Sequence, residues 1–208
     1  MKFSQAIVSL AGIAGAASAA KSYADLGNGA FTIPIVNGTL DFDAAVRHDL
    51  EMSLPAASEE GVAADLASRG QPGTCDPQFP TRKTICRVRT VSRNDYLRAY
   101  AKFIDWINTG PDAGWIPKHS CKAIVFGEAA VTACSQGGKN PTCQAELVEA
   151  MRELDSYCSP TAGGDIKIRK WLKRYSRHSV RDAEIDHPAL YAVDDEEQEE
   201  QEQHPHDN

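Results

Sequence analysis

The chain has 208 residues with 22 Lys+Arg, 29 Asp+Glu and a formal net charge of −7. No stretch beyond the N-terminus approaches the ~18 consecutive apolar residues of a spanning helix, which argues against a membrane-spanning protein. The total charge hides a sorting: residues 20–70 carry 3 Lys+Arg against 8 Asp+Glu, residues 71–181 carry 18 against 10, and residues 182–208 carry 11 Asp+Glu and no Lys or Arg.

The first residues read as an export signal. Met1-Lys2 is a short positive region, Ala6 to Ala14 is largely apolar, and Ala17-Ser18-Ala19 is an A-x-A cleavage signal that places the mature start at Ala20. Residues 20–70 read as an acidic, propeptide-like leader. Phe31 to Val36 has strand character, and Pro34 marks it as an edge strand or extended segment. Asn37-Gly38-Thr39 is a turn and a glycosylation sequon at Asn37; Asn140-Pro141-Thr142 fails as a sequon because proline occupies its middle. Phe42, Val46 and Leu50 at i, i+4, i+8 suggest a helix over 41–54, stopped by Pro55, and Ser58 to Ser68 has a weaker helical pattern. Ala67 to Gly73 is a linker by composition, with Arg69 a candidate processing site.

The basic block, residues 71–181, has the length of one domain and holds all six cysteines: Cys75, Cys86, Cys121, Cys134, Cys143 and Cys158. An even set in an exported chain predicts three disulfides, with Cys134–Cys143, Cys121–Cys158 and Cys75–Cys86 as the expected pairs. No C-x-x-C or H-x-x-x-H pair is present, so no metal and no cofactor is expected. Ser92 followed by Asp95 resembles a capping box, and Tyr96, Leu97, Tyr100, Phe103, Ile104 and Ile107 form a helical stripe over 93–108 that ends at Gly110-Pro111. Residues 118–134 read as a tight hairpin around Gly127-Glu128 or as one bulged strand, with Cys121 and Cys134 near its ends. Asn140 caps a second expected helix over 141–157, with Pro141 at its first position and Leu147, Met151, Leu154 and Cys158 on one face. Asp165 to Trp171 alternates polar and apolar residues, as a strand with one wet face does. After Trp171 the pattern loosens. Residues 182–208 hold seven acids in the nine positions Asp194–Glu202 and too few apolar residues to offset the entropy of ordering, which predicts a disordered tail from about residue 190, with Leu190-Tyr191 as a small anchor.

Lys167, Arg169, Lys170, Lys173, Arg174, Arg177 and Arg181 are seven cations in fifteen positions. If the strand turned into a helix near Trp171, several of them would share one face suited to phosphate or acidic headgroups. The alternative is a solvated face neutralised by the acidic tail. Lys173-Arg174 is also a dibasic processing candidate, and cutting there would free the tail. An enzyme reading rests on His119 or His178 acting with Glu128 or an arginine cluster, as in a secreted nuclease. No G-x-S-x-G, H-E-x-x-H or P-loop is present.

The alanine-rich signal, the acidic leader ending near Arg69, Cys121-Lys122-Ala123-Ile124-Val125-Phe126-Gly127, Cys134, the Cys143-to-Cys158 helix and the strand Ile166-Lys167-Ile168 together resemble the small cysteine-rich secreted proteins of filamentous fungi. That class includes killer-toxin-like and necrosis-inducing effectors. The resemblance implies an antiparallel sheet with helices packed against it, an extracellular role and action on another organism's cells. The expectation is therefore a disulfide-stapled α+β module: a small antiparallel sheet packed against two main helices, with flexible acidic flanks. Its expected function is that of a secreted effector or toxin-like protein binding a foreign-cell protein, anionic lipid or nucleic acid. A nuclease-like hydrolase and a structural cell-wall or adhesion component are the alternatives.

Overall fold

The computed structural model of the protein describes residues 22–50, 78–79 and 81–182. In chain order these form α1 (Tyr23–Leu26), β1 (Gly29–Val36), β2 (Thr39–Leu40), β3 (Val46–His48), β4 (Arg82–Thr90), α2 (Arg93–Thr109), β5 (Trp115–Ile116), β6 (Ser120–Phe126), β7 (Ala129–Ser135), β8 (Asn140–Pro141), α3 (Gln144–Tyr157), β9 (Ala162–Ile168), a 3-10 turn (Arg169–Trp171) and β10 (Lys173–Ser179). The main sheet is antiparallel and strongly curled, in the order β2-β1-β6-β7-β10-β9-β4, with β3 also paired to β1. A separate small ladder joins β5 to β8. The architecture is α+β.

Residues 22–50, read from the sequence as part of a leader, lie inside this sheet. β1 pairs with β6 from Gly29↔Val125 to Pro34↔Ser120 and carries β3 and β2 on its other side, so it is not an edge strand. Pro34 is tolerated for a local reason. A strand residue directs its N and its carbonyl to the same side, and the Pro34 carbonyl accepts the Asp41 N–H at 2.8 Å on the outer side. There β3 has ended opposite Thr32 and β2 begins opposite Ile35, so the missing N–H breaks no ladder. The helix expected over 41–54 is not formed by residues 41–50. Asp41 Oδ1 accepts the N–H groups of Asp43 and Ala44 in a turn, and Val46–His48 pairs with β1. Positions 51–54 and the expected helix over 58–68 lie outside the described residues.

The helix expected over 93–108 runs from Arg93 to Thr109; the Ser92 side chain accepts the Asp95 N–H at its start, and the Gly110 N–H closes its end on the Trp106 carbonyl. The second helix begins later than expected. Asn140-Pro141 is the strand β8, and Cys143, not Asn140, is the N-cap of α3, its sulfur receiving the Glu146 N–H at 3.4 Å. Residues 118–134 form the tight hairpin. Gly127 has φ +55, and a Cβ there would meet Asp95 Oδ2 at 2.4 Å, so only glycine lets the turn rest on the first turn of α2. Asp95 completes the contact by accepting the Glu128 N–H at 3.0 Å.

Two apolar clusters flank the sheet. The larger joins α2 and α3 to one sheet face through Phe103, Ile104, Trp106, Leu147, Met151 and Leu154 against Ile124, Val131, Ile166 and Tyr175. The smaller covers the other face with Tyr23, Phe31, Ile33, Phe42, Cys121, Val125 and Val180. Full burial of one large apolar side chain stabilises by roughly 1.5–3 kcal/mol. The smaller cluster gathers much of its apolar area from residues 22–42, so those residues are structural partners of the cysteine-bearing block.

The disulfides differ from the expected pairs. Cys121–Cys134 bridges directly opposed residues of β6 and β7, and Cys86–Cys158 ties β4 to the end of α3. Cys121 and Cys134 face each other because one tight turn sets the hairpin register, and that proximity excludes both Cys121–Cys158 and Cys134–Cys143. Cys86 is likewise taken by Cys158 and is not bonded to Cys75. Cys143 is disulfide-bonded as well; Cys75 lies outside the described residues.

Candidate anion-binding surface

The residues after Trp171 continue as β10, hydrogen-bonded between β7 and β9. Strand geometry sends alternate side chains to opposite faces, so the cationic run does not make one helical face. Lys173, Tyr175 and Arg177 point to the helices, while Arg174, Ser176 and His178 point to the other face. Lys173, Arg174, Arg177 and Lys167 are all buried.

Carboxylates on neighbouring elements meet Lys173, Arg174 and Arg177. Lys173 Nζ donates to Glu146 Oε2 at 2.7 Å and to the Pro141 carbonyl, and the Tyr175 hydroxyl donates to the same Glu146 oxygen at 2.5 Å. Burial lowers the Lys173 pKa and Glu146 opposes that shift; burial also pushes the Tyr175 hydroxyl well above its ordinary value. Arg177 pairs with Asp155 and donates to the carbonyls of Ser159 and Ala162, with its guanidinium 4.9 Å from the Tyr96 ring centre. On the opposite face, the fully buried Asp165 accepts from Arg87 at 2.9 and 3.3 Å and from Ser176 at 2.6 Å, and Arg174 lies 4.0 Å away. Burial pushes the Asp165 carboxyl up, but Arg87, Arg174 and these hydrogen bonds outweigh it and hold it below its ordinary value. Three of the seven cations in the run therefore supply internal counter-charges, and Lys167 is buried with them. The expected wet face of the strand at 165–171 is absent for the same reason: Asp165 and Lys167 are covered.

A different set of cations gathers at one end of the sheet. Pro34, Ser120, Ser135, Lys173, Ile168 and Arg82 are successive register partners and form its last row there. Beyond that row the turns are tied by backbone hydrogen bonds, from Ile35 N to His119 O, His119 N to Gly137 O, Gln136 N to Leu172 O and Arg169 N to Thr81 O. This end presents exposed Lys83, Lys118, Lys139 and Lys170, with Arg82 and the half-buried Arg169 beside them. Acids at this end offset part of the charge: Glu153 pairs with Arg82 at 2.8 Å, Asp112 lies 3.8 Å from Lys139, which also sits 5.1 Å from the Trp115 ring centre, and Asp41 is hydrogen-bonded through its N–H to Pro34 of the last row. Such exposed pairs are worth at most about 1 kcal/mol and leave the net positive field in place.

Of the predicted cation set, only Arg169 and Lys170 belong to this surface. Lys167 is one register step inside it, cross-strand to Lys83 and Arg174. Arg181 lies at the opposite end, 3.4 Å from Glu128. Sequence reasoning missed Lys83, Lys118 and Lys139 because the start of β4 and two different turns carry them; the available signal was that each sits beside a turn or strand start.

The structure does not bring His119 and Glu128 together. His119 is exposed at the basic end, Glu128 stands at the other end of β6, roughly 23 Å away at ~3.3 Å per residue, and His178 is buried against Tyr23. Arg174, the dibasic processing candidate, is the second residue of β10 and is buried. Ala19 and Arg69 lie outside the described residues. Asn37 is exposed in the β1–β2 turn with φ +51. Among the described residues no helix is long and apolar enough to cross a membrane, and no group of three or more His, Cys, Asp and Glu is arranged to hold a metal ion. No protein-family model, curated protein or solved structure matches the chain.

Proposed function

We propose that the protein acts outside the cell that makes it, as a non-catalytic binding protein of the effector or toxin-like kind, and that its basic loop end engages an anionic target. The observation that carries this reading is the gathering of Lys118, Lys139 and Lys170 from separate turns at one hydrogen-bonded end of the sheet, with Lys83 in β4 one register step behind. A charge cluster held by a rigid sheet keeps its field fixed, which favours encounter with an anionic partner. Export agrees with the N-terminal signal, with the disulfides and with the exposure of the Asn37 sequon.

Binding to heparin across a salt series tests the reading. The account expects affinity that falls steeply with salt and is largely lost in Lys118→Glu/Lys139→Glu/Lys170→Glu. Salt-independent binding, or a triple variant that binds as the parent does, would overturn it.

A further inference from the structure

The basic loop end also carries exposed apolar side chains. Trp115 and Leu172 are each 42% exposed, and both border the lysines: Lys139 lies over the Trp115 ring, and Leu172 stands two residues after Lys170 with its side chain beside Gly137. Leu172 is the more telling of the two. It stands at the tip of the β9–β10 turn with φ +50 and ψ +37, in the left-handed region. A branched side chain there costs roughly 1–2 kcal/mol over the right-handed region, a penalty that glycine escapes. The sequence thus holds a strained, solvent-facing leucine where glycine would fit without strain. Nearby, Gly137, Gly138 and Lys139 already supply the small and polar residues that turns favour.

Exposed lysines beside an exposed tryptophan and an exposed leucine match the layered chemistry of an anionic bilayer. Phosphate headgroups meet the ammonium groups, the indole takes the interface, and the leucine reaches the acyl boundary. Lysine side chains suit this arrangement because their stems lie along apolar surface while their charges stay in the headgroup layer. A soluble polyanion such as RNA or a sulfated sugar gives the leucine no apolar phase to enter.

From this geometry we infer that the basic loop end docks on anionic phospholipid membranes by inserting Trp115 and Leu172 between headgroups held by Lys118, Lys139 and Lys170. The inference rests on the proposed anionic target and names its class.

The test uses the full secreted chain with three probes: vesicles of phosphatidylcholine with phosphatidylserine, vesicles of phosphatidylcholine alone, and heparin. The expected result is sedimentation with the anionic vesicles only, with a blue shift of tryptophan emission that disappears in Trp115→Phe. Each lysine replaced by glutamine weakens vesicle binding about fivefold, the factor corresponding to ~1 kcal/mol per charge. Leu172→Gly relieves the backbone and so keeps the fold; it weakens vesicle binding while leaving heparin binding unchanged. Vesicle binding that is indifferent to both Leu172→Gly and Trp115→Ser overturns the insertion. Heparin binding without vesicle binding overturns the membrane assignment alone and leaves the anionic-target reading standing. Failure to bind either probe removes both.

Discussion

Replacing Asp165 by asparagine tests the claim that the cationic run is mostly internal. The substitution keeps the shape and removes one charge. In the native protein the carboxylate accepts two hydrogen bonds from Arg87 and one from Ser176, with Arg174 4.0 Å away. The side chain is fully buried, so water does not replace what is lost. Breaking a buried ion pair from one side costs about 3–5 kcal/mol, because the remaining charge stays desolvated. Asp155→Asn is the control: Asp155 is 36% exposed, and its buried partner Arg177 keeps the carbonyls of Ser159 and Ala162, so its removal should cost less than that of Asp165. Urea unfolding followed by far-ultraviolet circular dichroism, with disulfides intact, measures both; a lower midpoint at constant slope reports the stability change. The pH dependence adds a signature. The folded Asp165 carboxyl is held below its ordinary value, so its contribution is complete above the unfolded carboxylate pKa of about 3.9 and is lost as pH falls through the lower folded value. Asp165→Asn should remove that part of the acid dependence. An Asp165→Asn variant no less stable than Asp155→Asn, with the parent's acid profile, refutes the reasoning.

Three further outcomes follow from the same contacts. Cys86–Cys158 spans 72 residues and Cys121–Cys134 spans 13; loop-closure entropy then predicts losses of about 4 and about 3 kcal/mol for the double serine variants, measurable by guanidinium unfolding. Lys122 is buried under Trp106, donates to the carbonyls of Pro111 and Asp112, and has its pKa pushed down to about 8 by burial, with Lys139 adding to that and Asp112 opposing it. Between that value and the unfolded pKa of about 10.4 the unfolded chain binds more protons, so stability should rise with pH across this window in the parent and stay level in Lys122→Met. Ending the chain at Asp182 removes most of the acids of the tail segment; heparin affinity should then rise at low ionic strength, and the gain should fade as added salt shortens the screening length from ~10 Å at 0.1 M.

The parts of the fold that were legible in the sequence are those set by local chemistry. The 93–108 stripe predicts α2 because Tyr96, Tyr100, Phe103, Ile104 and Ile107 face one core and Ser92 caps its start. The hairpin is legible because Gly127 lies between two apolar runs. β10 was not legible. Lys-Arg-Tyr-Ser-Arg-His-Ser shows no apolar alternation, because carboxylates of α3 and β9, distant in sequence, accompany its burial on both faces. β4 was missed for a related reason: its apolar residues are few, and Val88 is fully exposed. The place of β1 in the sheet was hidden by Pro34, whose penalty vanishes only once the gap between β3 and β2 is known. The candidate surface combines both difficulties, since its lysines come from turns and a strand start that only the strand register brings together.

Lysine acylation read by mass spectrometry, with and without heparin, tests the division of the cations most directly. Lys83, Lys118, Lys139 and Lys170 should react quickly, Lys122 and Lys173 should stay inert until the protein unfolds, and heparin should protect Lys118, Lys139 and Lys170. Lys173 reacting as fast as Lys170, or loop-end lysines whose reactivity is unchanged by bound heparin, would contradict the account.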